Sequence, residues 1–195
     1  MKILVLSPHT DDEVLGAGGT IARFISEGHT VYCCAFTHCA LPELAIEFRN
    51  AVEHLGANPI MHNFKVRVFA DSRQHILDLM IDMKNNIKPD LVFCPSTKDV
   101  HQDHQVITQE ALRAFKHCSI LGYEMPWNNF SFETDYFVRI TKEQLTKKIE
   151  AVKLYESQSH RPYCTEKYLT SHAHVRGMQV GAEYAETFQL IRWIH

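Results

Sequence analysis

The sequence predicts an α/β three-layer sandwich, with helices on both faces of a mostly parallel central sheet. Two observations carry that expectation. Through the N-terminal two thirds, short apolar runs alternate with longer amphipathic stretches, which is the pattern of repeated βαβ units. The runs are also continuous, as in Ile3-Leu4-Val5-Leu6, as befits strands buried on both faces. No linker, repeat or low-complexity tract interrupts residues 1–195, so a single domain is expected.

After the first strand, Val14 to Glu27 has apolar residues at Val14, Ala17, Ile21, Phe24 and Ile25 and stops at Gly28, which describes a helix with a C-terminal glycine. Val31 to Phe36 is the second strand. Pro42 to Leu55, ended by Gly56, is the second helix, with Leu44, Phe48, Val52 and Leu55 on one face. Ile60 to Phe69 reads as extended. A third helix runs from about Ser72 to Ile87 and is stopped by Pro89, and Leu91 to Cys94 is a buried strand. Val106 to Lys116 is then helical, Ser119 to Tyr123 a strand, and Glu124 to Phe132 a loop. Tyr136 to Ile140 forms a strand and Lys142 to Tyr155 a helix, Arg161 to Gly181 has no clear period, and Phe188 to Ile194 reads as a final strand. The alternation is Rossmann-like.

With 45% hydrophobic and 22% charged residues, the 195-residue chain has an ordinary globular composition and length enough for a core without disulfides. Its six cysteines show no C-x-x-C pair and no regular spacing, which fits neither a zinc ribbon nor a secreted disulfide scaffold; a cytoplasmic protein is expected. A net charge of −3 lacks the basic excess that a nucleic-acid partner requires. No apolar run approaches the roughly 18–20 residues of a membrane span. Histidine is the anomaly. There are thirteen, more than the eight glycines, and imidazole is the commonest metal ligand.

Two short segments combine histidine with aspartate. The first strand runs into Ser7-Pro8-His9-Thr10-Asp11-Asp12-Glu13, at a carboxyl end where open parallel sheets bind ligands. His9 and Asp12, three apart on a tight turn, can face one ion, with Asp11 beside them as an unpaired carboxylate. Acidic residues also suit a helix start, which accounts for Asp12 and Glu13 but not for His9. The second segment, Asp99-Val100-His101-Gln102-Asp103-His104, follows the strand Leu91 to Cys94 and shares that sheet edge. A His-Asp-His set leaves a fourth position for water, the pattern of catalytic zinc, and one histidine free for proton transfer.

Pro8-His9-Thr10-Asp11-Asp12-Glu13 resembles the Pro-His-Pro-Asp-Asp-Glu signature of the LmbE-like, or PIG-L, zinc-dependent N-deacetylases, and His101-Gln102-Asp103-His104 resembles that family's His-x-Asp-His motif. Weaker similarity continues through Glu47 to Gly56, Lys88-Pro89-Asp90, Tyr155-Glu156-Ser157-Gln158 and Tyr184-Ala185-Glu186. The resemblance implies one zinc ion held by His9, Asp12 and His104, with Asp11 as general base. It further implies His101 as the second acid-base or electrostatic group, oriented by Asp103. The implied substrate is an N-acetylglucosamine-type sugar or conjugate, and the implied assembly a homo-oligomer. Of three departures from the pattern, Thr10 for proline loosens the turn without removing a ligand, whereas Thr37-His38-Cys39-Ala40 for a Thr-x-Gly-Glu segment and Leu44 for arginine predict a substrate different from the best-known members'.

Other candidates are less specific. Trp127 is a candidate sugar-stacking platform, and Arg49 and Arg176 are candidates for an anionic substrate group. His172-x-His174 is more simply a pair of packed histidines than a ligand pair. Gly16-Ala17-Gly18-Gly19 lacks dinucleotide-loop spacing and reads as close packing. Two rival functions share these residues: another metal-dependent hydrolase, as of phosphoesters, and a catalytically idle sugar-binding protein.

Overall fold

The apolar runs pair into one seven-stranded sheet. In chain order the elements are β1 (Lys2–His9), α1 (Asp12–Ser26), β2 (Thr30–Thr37), α2 (Pro42–Leu55), β3 (Asn58–Met61), α3 (Arg73–Ile87), β4 (Leu91–Pro95) and α4 (Gln102–Ala114). β5 (Ser119–Tyr123), β6 (Tyr136–Ile140), α5 (Lys142–Lys153), α6 (Glu166–Met178) and β7 (Tyr184–Arg192) complete the chain. This computed structural model describes residues 1–39 and 41–195. Ala40, at the end of the Thr37–Ala40 departure, lies outside the described residues.

The strand order is β3-β2-β1-β4-β5-β7-β6. The first five strands are parallel, and β7 runs antiparallel between β5 and β6. β1 is therefore the central pivot: the chain winds outward through β2 and β3, then crosses back to place β4 on the other flank of β1. Such a reversal leaves a crevice at the carboxyl ends of β1 and β4.

Successive side chains on a strand point to opposite faces, and the two faces carry separate cores. Ile3, Val5, Val31 and Phe93 pack against α1, α2 and α5 through residues such as Val14, Ile21, Phe48, Val52 and Ile149. Leu4, Leu6, Cys34 and Val92 meet α3 and α4 through Ile76, Met80, Ile107 and Ala111. The glycines of α1 are required by contact. A Cβ on Gly16 would stand 2.6 Å from the Tyr123 ring, and one on Gly19 2.6 Å from Ile140, so the Gly16–Gly19 segment serves close packing as expected.

Four expectations shift, among them the final strand, which runs over Tyr184–Arg192 and not from Phe188 to Ile194. The third strand ends at Met61, and the chain reaches α3 through turns and a 3-10 turn at Phe69–Ser72. α4 starts at Gln102, four residues early, because His101 is its N-cap: the His101 imidazole accepts the Asp103 N–H. The segment without a period, Arg161 to Gly181, contains α6, which buries only Leu169, Ala173 and Gly177.

Candidate metal centre and active site

The two histidine-aspartate segments meet in the crevice between β1 and β4. His9 ends β1, Asp11 stands at the N-cap position of α1 with no side-chain capping hydrogen bond, and Asp12 opens that helix. His101 caps α4, which puts Asp103 and His104 on its first turn. Three donor atoms converge. His9 Nδ1 lies 3.4 Å from Asp12 Oδ2, His104 Nε2 lies 3.3 Å from the same oxygen, and the two nitrogens are 3.3 Å apart. Zinc–ligand bonds of about 2.0–2.1 Å in a tetrahedron require ligand–ligand edges of about 3.3–3.4 Å. The triangle fits that ion.

Both imidazoles are held from behind by carboxylates. His9 Nε2 is 3.0 Å from Asp103 Oδ2, and His104 Nδ1 is 2.7 Å from Asp99 Oδ2. Such partners fix the ring and leave the other nitrogen for a metal. The Asp103 carboxylate thus orients His9, whereas the family resemblance implied that it orients His101. It also accepts backbone N–H groups from Arg67, at 2.7 Å, and Phe69. Asp99 is a further site residue, and no spacing in the sequence marks its role. Burial alone would lower the pKa of either imidazole, but the facing carboxylates raise His9 to about 9 and His104 to about 10. Burial likewise opposes charge on Asp12, yet the two histidines hold its carboxyl well below the usual range.

Asp11 stands apart from the triangle. It occupies the left-handed backbone region, with φ 94°, and is almost fully buried. Burial and the neighbouring Asp12 charge push its carboxyl well above the ordinary carboxylate range, and Arg161 at 3.7 Å only partly offsets them. Burial and the adjacent histidines push His101 down. Because its Nδ1 accepts the Asp103 N–H at 3.2 Å, the neutral ring carries its proton on Nε2.

These groups line a cavity of about 580 Å³ with Cys39, Leu41, Leu44, Arg67, Trp127, Gln158, Arg161 and Tyr163 among its walls. Trp127 is in the cavity as expected, stacked on Tyr163 with ring centroids 3.8 Å apart. Cys39 and Leu44, two of the departures noted in the sequence, also face it. The two expected arginines do not. Arg49 is exposed on α2, and Arg176 is bound to the buried Glu124. Arg67 and Arg161 are there instead, and single arginines in irregular segments carry no spacing that would have marked them. His172 bonds Glu124 and His174 the Glu183 carbonyl, and among the described residues neither joins a metal-competent group.

The family model described as PIG-L, GlcNAc-PI de-N-acetylase, matches residues 4–116. The chain belongs to the PIG-L family. Across 171 residues it is 32% identical to YaiS of Escherichia coli (strain K12), named an uncharacterized deacetylase, covering 80% of this chain and 90% of that protein. Among solved structures, a conserved protein of Thermus thermophilus is 25% identical with a TM-score of 0.83, over 98% of this chain and 96% of that one. An N,N'-diacetylchitobiose deacetylase of Pyrococcus horikoshii, 21% identical, superposes with a TM-score of 0.78 over 96% of this chain and 82% of that one. A 4-carboxy-2-hydroxymuconate hydratase of Pseudomonas putida shares the fold at a TM-score of 0.85 and 21% identity, over 100% of this chain and 97% of that one. The PIG-L fold thus houses more than one chemistry, and function has to be argued from the site.

Proposed function

We propose that this PIG-L family member is a zinc-dependent N-deacetylase that removes the acetyl group from an N-acetylglucosamine-type sugar or a conjugate of one. The observation that supports it best is the three-donor triangle of His9, Asp12 and His104 opening on a cavity, with the buried Asp11 carboxylate beside it. When bound there, zinc would polarise the amide and acidify the attacking water.

The chain's own residues supply the proton transfers. Asp11, with its raised pKa, takes the proton of the water that attacks the amide carbon. His101, neutral because its pKa is lowered, donates a hydrogen bond from its Nε2–H to the amide oxygen as negative charge develops there and keeps its proton throughout. The C–N bond then breaks, and Asp11 returns the proton to the departing nitrogen. Acetate and a free amine leave. Trp127 and Tyr163 offer an aromatic face for the sugar ring. All six cysteines are unpaired, which supports a reducing, cytoplasmic setting. No helix among the described residues is long and apolar enough to cross a membrane.

Incubation with N-acetylglucosaminyl compounds is expected to release acetate. Metal analysis is expected to find about one zinc per chain, lost in His9→Ala and His104→Ala. Asp11→Asn should keep its metal and lose about 100-fold or more in turnover. Undiminished turnover in that variant would remove Asp11 as the base.

A further inference from the structure

We infer that the substrate carries an anionic group, a carboxylate or a phosphate, received by Arg67 with help from Arg161. This deepens the N-deacetylase reading and takes from it the place of the scissile amide. Among the described lining residues, the carboxylates are Asp11 and Asp12. Asp12 is engaged by His9 and His104. Two arginines therefore line the cavity, Arg67 with its side chain exposed to solvent, against one remaining carboxylate, Asp11, and of the two Arg161 approaches it, at 3.7 Å. Arg161 also donates to the Tyr163 hydroxyl at 2.6 Å, which holds the guanidinium on the cavity wall with further N–H groups unused.

Arg67 is the surplus charge. Among the described residues its side chain has no hydrogen-bond or ion-pair partner, while its backbone is anchored to the metal centre. The N–H donates at 2.7 Å to the Asp103 carboxylate that also holds His9. Its φ of 68° lies in the left-handed region, where glycine would rest without strain. A bulky cation thus occupies a position that backbone geometry would give to glycine, tied through one carboxylate to a metal ligand. Strain of this kind concentrates at ligand clamps. A neutral sugar needs no such charge. A guanidinium in a concave site matches carboxylate and phosphate oxygens with paired N–H bonds.

The test compares N-acetylglucosamine with its 1-phosphate, its 6-phosphate and N-acetylmuramic acid, on zinc-loaded wild type, Arg67→Gly and Arg67→Lys. The glycine variant suits the backbone and keeps the N–H to Asp103. At least one anionic sugar is expected to exceed the neutral one about tenfold or more in kcat/KM. Most of that ratio should vanish in Arg67→Gly through KM and return in part in Arg67→Lys. The phosphate and carboxylate arms show which anion is meant. Calorimetric binding of glucosamine and its phosphates needs no bond cleavage, so it separates the two readings. A phosphate preference that depends on Arg67, with no acetate released from any sugar, would sink the deacetylase reading and leave this one standing. Equal binding of neutral and anionic sugars, or a preference that survives Arg67→Gly, would overturn the inference whatever the turnover.

Discussion

Asp99 and Asp103 each grip a histidine by the nitrogen turned away from the donor triangle, and that grip sets which nitrogen is free. Each ring is held in one tautomer and made more basic. Asp99→Asn is expected to weaken zinc affinity by about 10–100-fold in a chelator competition, while the fold stays intact. An unchanged affinity would mean that the backbone alone places His104. The donor set was legible because its spacings are local: His9 and Asp12 sit three apart on one turn, and His104 lies in a second compact cluster. Asp99 stood in that cluster, yet its job depends on where the ring of His104 points, which no spacing encodes. The same holds for Asp103, whose carboxylate reaches across the crevice to His9, 94 residues away in sequence.

Helices reach the crevice by two different means. α1 is drawn onto the sheet and β5 by its glycines, and Gly16→Ala would drive a methyl into the Tyr123 ring. Overpacking of this kind costs about 1–3 kcal/mol, readable as a lowered Tm. A wild-type Tm would show that Tyr123 can give way. α6 is held by charge instead. Glu124, at the end of β5, takes hydrogen bonds from His172 at 3.0 Å and from Arg176 Nε at 3.1 Å, with Tyr168 stacked on the His172 ring. Burial raises the Glu124 pKa, but these partners outweigh it and hold the carboxyl below its ordinary 4.5. A depressed carboxyl stabilises the fold above its unfolded pKa, and the contribution is lost as pH falls through the folded value. Arg176→Leu should therefore cost about 1.5–3 kcal/mol in urea unfolding at pH 7, and less once the pH is below the folded value. Equal losses at both pH values would count against the pairing. α6 escaped sequence reading for a related reason: its buried stripe is Leu169, Ala173 and Gly177, two of them too small to give an apolar period.

At the scale of the molecule, the sheet centre was legible throughout and the C-terminal third only in part. Continuous apolar runs mark parallel strands well, whereas the antiparallel β7 between β5 and β6 follows from pairings that no local pattern announces. The division has a functional counterpart. The floor of the cavity comes from the segments after β1 and β4, whereas Trp127 and the Gln158–Tyr163 walls come from irregular segments later in the chain. Loops vary more freely than the elements that carry them. Wall residues can thus be exchanged to suit another substrate while the floor keeps its arrangement.

The place of β4 beside β1 also bears on how the protein is born. During synthesis His9 and Asp12 emerge before their third companion, which is 95 residues behind His9, on the far side of a crossover through β2 and β3. No nascent chain that stops before His104 holds the full donor set, and even a longer one gathers it only when β4 has docked against β1. Capture of an ion would therefore wait for a closed sheet centre, and the ion would lock the pivot strand to the flank that the chain reaches second.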